Sequence, residues 1–445
     1  MLQIFCKEED LMSKVRNCLA FFLLMVLLAA PTLFGAGEQE KATSETKPSV
    51  SPKTVSWLHI WGAGTEKEQI TKSIALFEKA NPDVKVEEII MDASTWQPKL
   101  IQMLSGDNPP DIFLWYPGPK TNDLVDQGVI GSLTEMWKKN KLDDMIPAGL
   151  KDEVTYKGQL YNLPWGYHPT IVLYNKKMFG TLGVSAPTKV AEFETVADKI
   201  KASGVYPLAS GDSGLWRSSY AIELLIPSFS GPDFYRDLMT MEAGWDDARA
   251  RQAYDYWKRW VEKKYWYPDL RARRWAEGLT ILINKESGMY FLGTYGVPML
   301  KQAGWVLGQD FDAFLFPQEN PKFPRTFTGP FDTWCMAAKA PHPNEASRLL
   351  AFLATKEPQT MRAVYHGGMA CNKYVTEYDS IGTMVKDALN GGAIFHQVIG
   401  NALPPMAVQL INKGAVPDFY DNPNIEEFIK KCEEARAQYW KEKKK

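Results

Sequence analysis

Cysteine is scarce in this sequence, with five in 445 residues and no Cys-x-x-Cys pair. Cys6 and Cys18 fall near the amino terminus, which leaves Cys335, Cys371 and Cys432, an odd number at wide spacing. That excludes a disulfide framework and a cysteine zinc site. Histidine is equally sparse: five residues scattered singly, with no His-Glu-x-x-His helix. An excess of charge of either sign is missing too. The formal net charge is −2, so nothing draws the chain to nucleic acid or to an anionic membrane surface. Catalytic fingerprints stop short. Gly62-Ala63-Gly64 opens a turn where a dinucleotide loop would stand, but Lys67 occupies the place of its third glycine. Gly211-Asp212-Ser213-Gly214 is one residue short of a nucleophile elbow. Paired carboxylates such as Asp246-Asp247 sit at polar helix starts, where capping accounts for them. No cofactor or metal is implied.

Long apolar runs are also lacking, except for one. Lys14 and Arg16 precede the stretch Leu19–Leu28, which is followed by small residues up to Gly37. A charged start, a short apolar centre and a small-residue exit describe an export signal over residues 1–37. Residues 38–52, rich in Glu, Lys, Ser and Thr, read as a disordered tether. Leu33-Phe34-Gly35-Ala36 resembles the approach to a lipidated cysteine, but position 37 is glycine, so a lipid anchor is not supported. At the other end, the lysine cluster at 441–445 reads as a solvated tail.

What is abundant is aromatic: 15 tryptophans and 19 tyrosines. The mature chain alternates strands and helices. An apolar strand over 55–60 leads to a helix carrying Ile70, Ile74 and Phe77 at helical spacing, which is halted by Asn81-Pro82-Asp83. A strand over 84–90, a helix over 95–105 and a strand over 111–115 follow. This order predicts an α/β fold with a largely parallel sheet. Beyond position 175 helices dominate, as over 190–202 and 248–264. One stretch resists both patterns. Pro164 and Pro169 bracket Trp165, Tyr167 and His168, and prolines bias their surroundings toward extended chain without suiting a regular central strand.

Several stretches taken in order carry a resemblance. They are "FEKANPDVKVE", "QMLSGDNPPDIFLW", "YKGQLYNLPWGYHPTIVLYNKKMF", "LGVSAPTKVAEF", "KESGMYFLGTYG" and "APHPNEASRLLAFLATKEPQ". Together they resemble bacterial extracellular solute-binding proteins of the sugar-binding class, the receptor subunits of ABC importers. The resemblance implies a periplasmic-binding-protein-like fold: two α/β lobes joined by a hinge, with a ligand cleft between them. It places the first lobe at 53–163 and 328–368 and the second at 164–327 and 369–445. The segment between Pro164 and Pro169 then crosses the hinge at the cleft floor.

Sugars are held by aromatic faces against their C–H surfaces and by polar or charged groups on their hydroxyls. Carried over position by position, the resemblance implies a ligand site of Trp61, Glu66, Trp115, Tyr116, Trp165, His168, Trp216, Arg217, Tyr295, Phe331 and Asp332. Trp115, Trp216 and Tyr295 are the expected stacking planes, and Tyr295 stands where the family commonly has tryptophan. Glu66, His168, Arg217 and Asp332 are the expected hydrogen-bonding groups. The implied protein is an exported, monomeric, non-catalytic receptor that hands a carbohydrate ligand to an ABC transporter permease. An exported carbohydrate-processing enzyme, and a receptor for a polyamine or a phosphorylated polyol, remain as alternatives.

Overall fold

The structure, a computed structural model, describes residues 52–93 and 95–443. The expected signal, and the tether apart from Pro52, lie outside the described residues. Among the described residues no helix is long and apolar enough to cross a membrane.

Two principal sheets organise the chain. The first has six strands in the order Met369–Ala370, Leu163–Tyr167, Phe331–Met336, Ile112–Trp115, Lys53–His59, Val84–Ile90. Lys53–His59 runs parallel to both of its neighbours, as helical crossovers require. The other half is antiparallel: Phe331–Met336 pairs in that sense with both Ile112–Trp115 and Leu163–Tyr167, and Met369–Ala370 with Leu163–Tyr167. The sheet is therefore mixed and not largely parallel. Its antiparallel strands arrive from distant parts of the chain and need no crossover helix. The second sheet orders Phe311–Phe314, Thr170–Asn175, Ser287–Gly293 and Tyr206–Leu208, with only the last pair parallel.

The helix Gly64–Ala80 shows how sequence becomes position. Ile70, Ser73 and Phe77 lie on one face and are buried against the sheet. Asn81 closes the helix by donating from Nδ2 to the Phe77 carbonyl at 2.8 Å, and Pro82 prevents its continuation. Its first turn carries Glu66, where the helix dipole favours a carboxylate.

The segment from Pro164 corrects the expectation drawn from its prolines. Leu163–Tyr167 is a regular strand with neighbours on both sides. A register shift between Asp332 and Thr333 falls where Pro164 faces Thr333, and such an irregularity accommodates a residue that cannot donate to the ladder. His168 and Pro169 then lead into Thr170–Asn175 of the second sheet. The chain returns beside this crossing, from Thr326–Gly329 into Phe331–Met336. The two passages are joined by the His168 amide, which donates to the Pro330 carbonyl at 3.0 Å. A Cβ on Gly329 would lie 2.1 Å from the His168 carbonyl oxygen, so only glycine permits this approach.

Each sheet has its own core. Trp57, Trp137, Trp165 and Trp334 are fully buried around the first. Trp245, Trp257 and Trp260 lie in the second, where Trp257 stacks on Phe419 with ring centroids 3.8 Å apart. The last helix, Ile425–Lys443, buries Phe428 and Cys432 in that second core. Of the lysines expected as a solvated tail, Lys441 and Lys443 are exposed but helical, and Lys444 and Lys445 lie outside the described residues. Cys335, Cys371 and Cys432 are unpaired and buried.

Candidate functional site

Where the two passages cross, buried polar groups gather into two adjoining clusters. The first is built mostly from the six-stranded sheet and its helices. Asp332 follows the return passage, His168 ends the outgoing one, and Arg362 and His366 come from the helix Lys356–His366. Arg362 Nη2 is 2.9 Å from His168 Nε2 and also hydrogen-bonds the Asp332 carboxylate. The same His168 Nε2 also lies 3.2 Å from Asp332 Oδ2, so it faces a donor and an acceptor together. His168 Nδ1 is 3.5 Å from Thr294 Oγ1. Burial pushes the His168 pKa down, consistent with a neutral ring. Burial works against ionised Asp332, but Arg362 and His168 overcome it and hold its pKa below the usual value.

Glu66 Oε1 lies 2.8 Å from His366 Nε2, and the His366 ring is 4.9 Å from that of His168. Burial raises the Glu66 pKa to about 7 in spite of Arg362 and His168. The Arg362 guanidinium rests 4.7 Å above the Trp61 ring and 5.8 Å from that of Trp165. Its closeness depends on Gly166, where a Cβ would come within 2.7 Å of Arg362 Nε. His168, Asp332 and His366 bring ligand atoms within 4.8 Å of one another, close enough to surround a metal ion. Arg362 already hydrogen-bonds two of the three, and a cation there opposes a second one. This is an ion-pair network and does not read as a metal centre.

The second cluster surrounds Arg217, which is 6% exposed. Its guanidinium lies 4.3 Å from the Trp216 ring, 5.2 Å from Trp275, 5.4 Å from Tyr220, 5.5 Å from Tyr295 and 5.8 Å from Tyr290. Nη1 donates to the Tyr290 hydroxyl at 3.4 Å and Nη2 to that of Tyr295, while Nε has no hydrogen-bond partner. Asp212, nearby in sequence, is committed to the backbone. Its Oδ1 accepts from the amides of Trp216 and Arg217, and its Oδ2 from the amide and hydroxyl of Ser218. The two clusters meet where the Tyr295 ring stands 5.3 Å from that of His168.

Of the residues expected from the sequence, Trp61, Glu66, His168, Asp332, Arg217, Trp216 and Tyr295 are thus brought together. Tyr116 packs against Trp96 with ring centroids 6.0 Å apart, Lys120 Nζ sits 5.3 Å over its ring, and burial pushes its phenol pKa far up. Three others pack as core. Trp165 and Phe331 are fully buried in the first core. Trp115, expected to offer a stacking plane, is only 3% exposed and meets Trp96 edge-on at 5.4 Å. It ends a strand flanked on both sides, and Trp96 covers it. Arg362, His366, Tyr290 and Trp275 were not anticipated. Lys120 was also missed; its ammonium donates to Asn401 Oδ1 at 3.0 Å, and burial lowers its pKa to about 7.

Two sheets, the first assembled from discontinuous sequence, joined by short passages that are lined with buried polar and aromatic groups, define a solute-receptor fold. The sequence pattern of bacterial extracellular solute-binding proteins matches residues 72–390, and the chain belongs to that family. Among its relatives, an uncharacterized ABC transporter extracellular-binding protein of Pyrococcus horikoshii is 25% identical over 342 residues, covering 76% of this chain and 75% of the relative. A probable sugar-binding periplasmic protein of Mesorhizobium japonicum is 26% identical over 383 residues, covering 82% and 89%. Two solved structures share the fold. The bacterial solute receptor AcbH, described by its preference for β-D-galactopyranose, superposes with a TM-score of 0.79 at 21% identity over 88% of this chain and 99% of its own. A chitin oligosaccharide binding protein superposes at 0.76 with 19% identity, over 87% and 99%. The fold is accordingly periplasmic-binding-protein-like, with two α/β lobes.

Proposed function

We propose that this protein is an exported receptor that captures a carbohydrate between its lobes and delivers it to an ABC permease as a monomer. The observation that carries this reading is the joined pair of clusters, Glu66–His366–His168–Asp332–Arg362 and Arg217–Tyr295–Tyr290. These supply charged hydrogen-bonding groups and aromatic faces from both sheets at the passage between them. Ligand stabilises the closed arrangement because only then do both sets of contacts form. The relatives' names, which include sugar-binding periplasmic proteins and ABC transporter binding proteins, support the same reading. In this proposal the lobes divide at His168–Pro169, at Gly329–Pro330 and after Cys371. That moves the strands Leu163–Tyr167 and Met369–Ala370 into the first lobe, beyond the limits at 163 and 368 expected from the sequence.

Trp61, Glu66, His168, Trp216, Arg217, Tyr295 and Asp332 face the ligand in this reading, together with Arg362 and His366. Glu66 with a raised pKa beside ionised Asp332 has the outline of a glycosidase pair. Asp332 Oδ2, however, accepts from Arg362 and lies 3.2 Å from His168 Nε2, so the ion pair engages that oxygen and lowers its reactivity as a nucleophile or base. The protein binds without turnover. A thermal-shift screen over neutral mono- and oligosaccharides tests the reading, because a cleft ligand raises the melting temperature by mass action. Incubation with each hit should release no new reducing ends. A folded protein that responds to no carbohydrate overturns the proposal.

A further inference from the structure

The geometry points to a ligand that carries a carboxylate, a uronic-acid sugar, with Arg217 as the residue that receives it. This rests on the carbohydrate-receptor reading and specifies its substrate class. The two buried guanidiniums of the site are not alike. Arg362 is neutralised in place by Asp332. Arg217 has no carboxylate in hydrogen-bond contact; its direct partners are the hydroxyls of Tyr290 and Tyr295. The nearest acid along the chain, Asp212, is occupied by three backbone amides and the Ser218 hydroxyl. Buried charges in folded proteins are ordinarily paired, because an unpaired one loses its hydration without compensation. Five aromatic rings stabilise the Arg217 cation by their quadrupoles, but they supply no opposite charge.

The donors left over define what would fit. A guanidinium offers five N–H groups in a planar fork. With one Nη1–H and one Nη2–H given to the two phenols, Nε–H and a second hydrogen on each Nη remain, and Nε has no hydrogen-bond partner. Nε–H and a neighbouring Nη–H form a parallel pair that matches the two oxygens of a planar carboxylate. Trp216 is half-buried against the same guanidinium, so the ring of a sugar whose carboxylate bonded Arg217 would have an aromatic face beside it. A neutral sugar would leave Arg217 with no carboxylate in direct contact, only the longer-range attraction of Asp212, and a cationic ligand would be repelled.

Isothermal titration calorimetry of the purified protein tests this with matched pairs. These are D-glucuronate against D-glucose, D-galacturonate against D-galactose, and trigalacturonate against galactotriose, with glucose 6-phosphate as a second kind of anion. At least one uronate should bind about ten- to a hundredfold more tightly than its neutral partner, the range of one buried charge-assisted bond. Arg217→Gln should abolish that preference, so that each uronate binds no more tightly than its neutral partner. Arg217→Lys, which keeps the charge and loses the fork, should fall between them. Neutral sugars that bind as well as their uronates, or a preference that survives in Arg217→Gln, overturn the inference and leave the receptor reading standing. Tighter binding of glucose 6-phosphate than of any uronate overturns the carboxylate assignment. A folded protein that binds none of these probes, and none in the neutral screen, overturns the receptor reading and this inference with it. If Arg217→Gln fails to fold, the wild-type preference decides alone.

Discussion

Arg362 and Arg217 are two buried guanidiniums on either side of His168 and Tyr295, and their surroundings differ in kind. Arg362 sits over Trp61 and within an ion pair with Asp332, with His168 Nε2 2.9 Å away. Arg217 sits among five aromatic rings and two phenols. The first arrangement is closed electrostatically and holds the crossing passages in register. The second leaves the guanidinium without a carboxylate in hydrogen-bond contact, and the inferred ligand would supply one. One binding region thus contains a structural cation and a receptive one, and their chemistry separates under substitution.

The largest separation is expected in stability. Arg362→Met strands the Asp332 carboxylate in the interior and should destabilise the protein by about 3–5 kcal/mol in urea denaturation. Arg217→Gln removes a cation that has no carboxylate partner and should cost about 1 kcal/mol or less. Equal losses from the two substitutions would erase the distinction.

The acids flanking the two halves give a pH test. Burial raises Glu223, behind the Arg217 cluster, to about 8 and Glu66 to about 7. Each keeps its proton in the folded state through a range where the unfolded chain has lost it. Stability therefore falls as pH rises from the unfolded value near 4.5 to the folded one. Glu223→Gln should flatten stability between about pH 4.5 and 8, removing a slope worth a few kcal/mol in total. Glu66→Gln should flatten it only up to about pH 7, by a smaller amount because its side chain is 25% exposed. Denaturation midpoints collected across that range check both.

Truncating tryptophans sharpens the contrast between ligand face and core. Trp216→Ala, at a half-buried ring, should weaken ligand binding by about 1–3 kcal/mol and leave folding nearly intact. Trp115→Ala should instead destabilise the fold by about 3–5 kcal/mol, since the structure seals that ring. Calorimetry paired with denaturation distinguishes them. The smallest effect belongs to Lys120→Met, which removes the bond to Asn401 and should cost about 1 kcal/mol or less of stability at high pH; because burial disfavours the ammonium, that loss should shrink or reverse as pH falls from about 10 toward 7.

How much of this the sequence discloses depends on the range of the interaction. Ile70, Ile74 and Phe77 announce their helix because its burial follows local periodicity, and Val190–Ala202 matches its expected limits. Glu66, His168, Arg217 and Asp332 could be singled out because they lie at strand and loop ends that the family resemblance marks. Arg362 and His366 could not. On Lys356–His366 they are four residues apart in a polar helix that reads as a solvated face, and tertiary packing alone carries that face inward. The strand Leu163–Tyr167 was hidden by its proline, because the register shift that tolerates Pro164 resides in a partner strand more than 160 residues away. The antiparallel half of the first sheet escaped for the same reason: strand direction is set by where the chain returns, which no local pattern encodes.

The burial of Cys335, Cys371 and Cys432 has a practical consequence. Burial lifts all three thiols well above their ordinary pKa, and a maleimide reacts with an accessible thiolate. Among the described residues, a cysteine engineered at the rim of the cleft would then be the sole reactive handle. A solvent-sensitive fluorophore attached there would turn ligand-driven closure into an optical signal, making the proposed receptor a reagentless sensor for its own cargo without first clearing Cys335, Cys371 or Cys432.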